Sequence, residues 1–321
     1  MHVLIIGGTR FVGRHIGEEL LEQGHTITLL NRGVTPDTFP AEVERLRADR
    51  NEPEQVRAAL EGREFDAIVD CIAYQEAEVE LVIELFSGRI GRYVYISSSS
   101  VYRPSNLLPI EETHPLNDGT GWDYARGKIE VERLLERTAT DAFPWVSLRP
   151  AYIFGPYNSA ANAEFSLFQR IEQGRPVLVP GDGYFFFHQS HGRDLAHATI
   201  AAIERSEAIG NAYNINGRYA QSGNELVQAA AAAVGREAEI VYLPGATRRS
   251  EVGRYFYWQT RPAQVYSTEA ARHDLAWEPR FDIHEGMRDA YRWYLESGYA
   301  EAHPYDFSAH DELLERMADG G

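Results

Sequence analysis

Lysine is almost missing from this chain. Of its 31 basic residues, 30 are arginine and one, Lys128, is lysine. A salt-adapted or GC-rich host would account for the loss elsewhere, and the survivor marks a position where a guanidinium does not serve. Cysteine is as scarce: Cys71 stands alone, which excludes an internal disulfide and makes a cytoplasmic location the default expectation. No apolar run is long enough to cross a bilayer, and the chain opens on a strand pattern rather than a signal peptide. Positive charge is in deficit too. A net charge of −17 repels phosphate backbones and argues against nucleic acid as the main partner. An anionic ligand must then be met by a few local arginines.

Hydrophobic residues make up 44% of the 321 positions, enough for one large α/β unit or two coupled subdomains. Apolar runs of strand length are expected to be strands near 2–6, 26–30, 43–47, 67–70, 92–96 and 144–149. Helices are expected near 11–23, 53–60, 75–88 and 122–139. This alternation predicts a doubly wound parallel Rossmann sheet over residues 1–155. Beyond it, proline and glycine punctuate the pattern, and helices are expected near 163–173, 192–205, 222–234 and 284–297. Residues 156–300 read as a smaller mixed substrate-binding subdomain interleaved with the first. Residues 301–321 read as a polar, poorly ordered tail.

The first strand runs directly into Gly7-Gly8-Thr9-Arg10-Phe11-Val12-Gly13, and a helix follows. Glycines in such a turn let the backbone approach a pyrophosphate whose charge faces the helix N-terminus. Arg10 stands where the commoner fingerprint has its middle glycine. At the end of the second strand an acid would favour NAD by binding the ribose 2′-hydroxyl. This chain has Asn31-Arg32-Gly33 there. With no acid, and with Arg32 and Arg10 close to the ribose, the pattern favours NADP over NAD. Asp49 and Arg50, after the third strand, are placed beside the adenine.

The fifth strand ends in Ser97-Ser98-Ser99-Ser100, at the edge where doubly wound sheets bind ligands. Tyr124 and Lys128 follow at the start of a helix, four residues apart and so on one face. A free phenol has a pKa near 10, and a neighbouring ammonium is expected to lower it, so the pair suits proton exchange at a substrate hydroxyl or carbonyl. His188, His191 and His197 have spacings a helix would accept, but no acid–histidine pattern supports a metal, and packing is the expected role.

The glycine loop, the serine cluster and the Tyr124/Lys128 pair together resemble the extended short-chain dehydrogenase/reductases, the NAD-dependent epimerase/dehydratase family. Arg149-Pro150-Ala-Tyr-Ile-Phe-Gly-Pro156, Gly181-Asp-Gly, His191-Gly-Arg-Asp-Leu-Ala196 and Arg261-Pro262 are similar to its later landmarks. The resemblance implies roles for individual positions. Ser98 would orient the substrate oxygen beside Tyr124, supported by Ser99 and Ser100. Gly7, Thr9, Arg10, Phe11, Val12, Gly13, Ala73 and Tyr124 would hold the cofactor, Pro150 and Ile153 would line its nicotinamide side, and Lys128 would reach its ribose. Tyr152 would face the substrate, and Arg261 would meet a nucleotide-sugar diphosphate.

Phe187 stands where those enzymes carry a second phosphate-binding arginine; it either stacks on a sugar or base or belongs to the core. Serines at 99 and 100, where the dehydratases have an Asp-Glu pair, favour epimerase or reductase chemistry on a sugar or nucleotide sugar. The family's dimers imply a homodimer built on the helices near 75–88 and 122–139, through Ile83, Leu134 and Leu135. Gly-Gly-Thr-Arg-Phe-Val-Gly with Asn31-Arg32-Gly33 also resembles an atypical branch that includes chloroplast stem-loop RNA-binding relatives. This leaves a non-catalytic, RNA-associated dinucleotide-binding protein as the alternative.

Overall fold

Side chains alternate across a strand, so a strand that is apolar at every position must be covered on both faces. Val3-Leu4-Ile5-Ile6 is wholly buried in this way. Val3 and Ile5 point into one cluster with Ile27, Leu29 and Val69; Leu4 and Ile6 point into another with Leu30, Ile68, Tyr93 and Tyr95. The computed structural model describes residues 1–160, 163–243 and 264–319.

The chain divides into two units. The first comprises Met1–Ile153, Ser190–Asn216 and Tyr266–Arg280. Its strands are β1 (His2–Ile6), β2 (Thr26–Asn31), β3 (Glu44–Arg47), β4 (Ala67–Asp70), β5 (Arg92–Ile96), β6 (Trp145–Pro150) and β7 (Ala212–Ile215). They form one sheet in the order β7-β6-β5-β4-β1-β2-β3, with every pair parallel. Helix α1 (Phe11–Glu22) and helix α5 (Gly192–Glu204) supply Ile16, Leu20, Leu195 and Ile200 to one face. Helices α2 (Pro53–Leu60), α3 (Glu76–Phe86) and α4 (Asp123–Arg137) cover the other with Val56, Val82, Phe86, Val131 and Leu135. This is the doubly wound α/β architecture. The order reverses between β1 and β4, and ligand crevices of such sheets open there at the carboxyl ends.

The expected strands and helices of this unit are present with ends displaced by at most two residues. The seventh strand was not expected: β7 is only four residues long and carries Asn214, so it lacks a strand's apolar signature. His191 caps α5 by accepting a hydrogen bond from the Arg193 N–H. Leu135 is fully buried among the sheet-covering residues, so the expected subunit surface cannot include it; Ile83 and Leu134 are only partly buried.

The second unit comprises Phe154–Gln189, Gly217–Val265 and Phe281–Gly321. Helices over Glu164–Glu172, Gly223–Val234 and Ile283–Glu296 pack Phe165, Phe168, Leu226, Met287 and Tyr294 into its core. Strands Val177–Pro180 and Ile240–Leu243 pair in parallel beside them. The polar stretch after Ser297 is helical rather than a loose tail, over Tyr299–Ala302 and Ser308–Asp319. It is tied down by buried Phe307, against which Arg170 packs, and by an Arg175–Asp311 ion pair at 2.5 Å.

Candidate active site

The turn after β1 is built for close backbone approach. A Cβ on Gly13 would lie 2.3 Å from the Gly7 carbonyl oxygen and 2.8 Å from the Gly8 Cα, so only glycine lets α1 start against the loop. A cleft of about 350 Å³ opens above it. Gly7, Thr9 and Arg10 form its floor; Asn31 and Arg32 come from the end of β2, Asp49 and Arg50 from beyond β3, and Ile72 and Tyr74 from beyond β4. Seven of the residues read from sequence as cofactor contacts thus line one cleft beside a helix N-terminus with cations on its rim. The tight turn, the open volume and the charge together fit a dinucleotide. Gly13→Ala is expected to weaken dinucleotide binding at least about tenfold, or about 1.4 kcal/mol, measured by calorimetric titration.

The rim is positively biased but tethered. The Arg10 Nε donates to Thr35 Oγ1 at 2.9 Å. Arg32 is largely exposed, with an amino group 3.9 Å from Asp49. Asn31 Oδ1 accepts from the Gly33 N–H at 2.8 Å and from Arg47 at 2.5 Å. Arg47, which sequence reasoning passed over, therefore sets the Asn31 amide. Arg50 is buried and paired with Asp70 at 2.6 Å and Glu78 at 3.4 Å, so its charge is committed inside the wall.

At the carboxyl end of β5 the chain turns through Ser98–Ser100, and the Ser100 N–H donates to Ser98 Oγ at 3.2 Å. The Ser98 side chain sits close enough to the Tyr124 phenol to lower its pKa. Lys128, one turn further along α4, is 2% exposed, and its Nζ donates to the carbonyls of Ala73 at 3.0 Å and Ile96 at 2.8 Å. The same ammonium sits 4.6 Å from the Tyr74 ring centre, 4.8 Å from that of Tyr95 and 5.8 Å from that of Tyr124. Burial pulls its pKa down to about 8.

The expected effect of this ammonium on the phenol is not what the geometry yields. Desolvation pushes the Tyr124 pKa above the ordinary tyrosine value even though the residue is 36% exposed, and the nearby Ser98 side chain offsets only part of the rise. Lys128 spends two donors on backbone carbonyls of β5 and the β4 loop instead of reaching the phenol. As folded, Tyr124 holds its proton at neutral pH and is poised to give it.

Behind this trio lies a buried ion pair. Arg149, at the end of β6, donates to both carboxylate oxygens of Glu132, with its nearer contacts at 2.8 and 2.9 Å. A second arm reaches the Tyr102 hydroxyl at 2.8 Å, and that hydroxyl donates to Asn214 at 2.7 Å. Glu132 also accepts from Ser147 at 2.8 Å. Glu132 lies four residues after Lys128, so the pair fastens the face of α4 that carries Tyr124 and Lys128 to β6.

The remaining expected residues fall as follows. Pro150, Tyr152 and Ile153 sit at and just after the end of β6, and Ala73 is buried at the end of β4 with its carbonyl on Lys128. Phe187 lies in the core of the second unit, 4% exposed and stacked on Phe185 at 5.8 Å. Arg261 lies outside the described residues. Tyr74 was not expected from sequence; the only signal for it is an aromatic residue four positions past the end of a central strand.

Such a sheet, with a glycine turn at the end of its first strand, defines a Rossmann-type fold. Residues 3–216 match the NAD dependent epimerase/dehydratase family, and the chain belongs to it. It is 31% identical over 330 residues to the chloroplast stem-loop binding protein of 41 kDa b of Arabidopsis thaliana, covering 98% of this chain and 84% of that one. It is 28% identical over 335 residues to a 2-alkyl-3-oxoalkanoate reductase of Stenotrophomonas maltophilia, covering 90% and 98%. The fold is shared with a UDP-glucose 4-epimerase of Thermotoga maritima solved with UDP-glucose, at a TM-score of 0.76 and 18% identity over 92% of this chain and 99% of that one.

Proposed function

We propose that this chain is an NAD(P)-dependent enzyme that interconverts a hydroxyl and a carbonyl on a sugar or nucleotide sugar, as an epimerase or reductase. The placement of Tyr124, with Ser98 beside it and its ring 5.9 Å from that of Tyr74 in the wall of the glycine-turn cleft, is the observation that carries the reading. The dinucleotide, held by Gly7, Thr9, Arg10, Asn31 and Arg32, would supply hydride transfer at the substrate carbon. Tyr124 Oη moves the proton at the substrate oxygen, and Ser98 orients that oxygen. Lys128 holds Ala73 and Ile96 in register under the phenol and supplies a positive charge beneath the rings. Positions 99 and 100 offer no carboxylate for β-elimination, which favours epimerase or reductase over dehydratase. Oxidation or reduction of UDP-, GDP- and dTDP-sugars, followed at the reduced-nicotinamide absorbance, tests the reading; a complete set of wild-type blanks removes nucleotide sugars from it.

The cofactor is assigned as NADP in preference to NAD, because Asn31 replaces the ribose-binding acid and Arg10 and Arg32 lie at its side. NADP is expected to raise the melting temperature more than NAD, and Arg32→Ala to remove most of the difference. A charge-assisted hydrogen bond of about 1.5–3 kcal/mol corresponds to roughly 10–100-fold in affinity. A larger shift with NAD reverses the assignment. The subunits are taken to pair through α3 and α4, with Ile83 and Leu134 at the contact, and a monomer by light scattering ends that reading.

The kinship to the stem-loop binding protein supports a second reading, a non-catalytic binding protein. The net charge of −17 weighs against an RNA partner. Tight RNA retention at low salt that survives Tyr124→Phe would favour it.

A further inference from the structure

Among the described residues seven large aromatic side chains are more than a third exposed, and three of them adjoin one another at the start of α4. Tyr74 is 44% exposed, Trp122 39% and Tyr124 36%. Tyr124 is the middle ring: its centre lies 5.1 Å from that of Trp122, with 33° between the planes, and 5.9 Å from that of Tyr74, with 48°. An exposed apolar cluster marks a binding surface, and the middle ring of this one is Tyr124 itself. Tyr74 also lines the glycine-turn cleft, so the occupant on the phenol side of the cluster is the molecule that reacts with a bound dinucleotide.

The rings are held in place from behind. The Tyr74 N–H donates to Glu78 Oε2 at 2.7 Å. A Cβ on Gly127 would lie 2.1 Å from the Tyr74 carbonyl oxygen, so α4 rides directly on the backbone that carries this ring. The Lys128 ammonium lies 4.6 Å from the centre of the Tyr74 ring. Trp122 is the N-cap residue of α4, and its N–H donates to Thr120 Oγ1 at 3.2 Å. Preorganised rings of this kind lose little entropy when they are covered.

We propose that Tyr74 and Trp122, on either side of Tyr124, form an aromatic clamp that takes the flat C–H face of a pyranose ring and selects ring sugars at the phenol. Aromatic faces carry partial negative charge, and the C–H bonds on one side of a pyranose present the complementary positive edge. A closed ring offers that face without freezing rotors, whereas an open-chain alcohol must give up rotational freedom to lie flat. The proposal rests on the reading of Tyr124 as the proton-transfer group.

Saturation-transfer NMR on the full chain, with saturating NADP, tests it with methyl β-glucopyranoside, glucitol and a medium-chain alkyl ketone as probes. The pyranoside is expected to show transfer to its ring C–H protons and to bind tighter than glucitol. Trp122→Ala and Tyr74→Ala should each weaken pyranoside binding about tenfold, and Trp122→Phe should restore most of it. Glucitol binding should not respond to Trp122→Ala. Unchanged pyranoside affinity in both alanine variants, no pyranoside binding by the wild type, or preference for the alkyl ketone would each overturn the clamp. The two readings fail separately. Clamped pyranosides with no turnover of any sugar would remove the enzyme and keep the clamp. Turnover of an acyclic substrate with pyranosides ignored would do the reverse.

Discussion

Tyr124→Phe is expected to lower turnover by roughly 10²–10⁴-fold, the range a positioned proton-transfer group contributes. Dinucleotide affinity should hold, because the change removes one oxygen from a side chain that does not line the cleft. The pH dependence carries a sign. Tyr124 sits above the ordinary phenol value, so the protonated donor persists through neutral pH. Lys128, drawn down to about 8, is charged below that pH and neutral above it. Carbonyl reduction should therefore be steady below about pH 8 and decline above it as the ammonium under the rings is lost. Full activity in Tyr124→Phe, or a rate that climbs through pH 8–10, contradicts the assignment.

The second large effect is on stability. Arg149→Met leaves the Glu132 carboxylate buried without its bidentate partner, and breaking such a pair costs about 3–5 kcal/mol. That corresponds to a fall in melting temperature on the order of 10 °C. The double variant Glu132→Met/Arg149→Met should regain much of the loss, since two apolar side chains replace two desolvated charges. Calorimetry on the single and double variants measures both. A single variant within about 0.5 kcal/mol of the parent, the scatter of ordinary surface changes, would show that the pair holds nothing together.

Much of the fold could be read from the chain because strands covered on both faces leave an unbroken apolar run, as Val3–Ile6 and Ala67–Val69 do. The β7 strand escaped notice for the opposite reason: it is four residues long and contains Asn214, which faces Tyr102 in a hydrogen-bond network rather than a core. The Tyr124/Lys128 pair was legible because the chain has one lysine. What that lysine does was not. Spacing places two residues on one helix face but says nothing of the carbonyls of Ala73 and Ile96, which come from other strands and capture the ammonium. Tyr74 was hidden in the same way: its ring meets Tyr124 only once β4 and α4 are brought together. The Arg50 charge looked available to a ligand, whereas Asp70, 20 residues later in the chain, claims it.

The burial of Lys128 has a practical outcome. Amine-directed reagents find no other lysine side chain on this chain, and the one present is sealed beneath three tyrosine rings. Acylation of that nitrogen can proceed only when α4 lifts from the sheet. Its rate in the native protein, read by mass spectrometry, would act as a clock for opening of α4, and a bound dinucleotide should slow it.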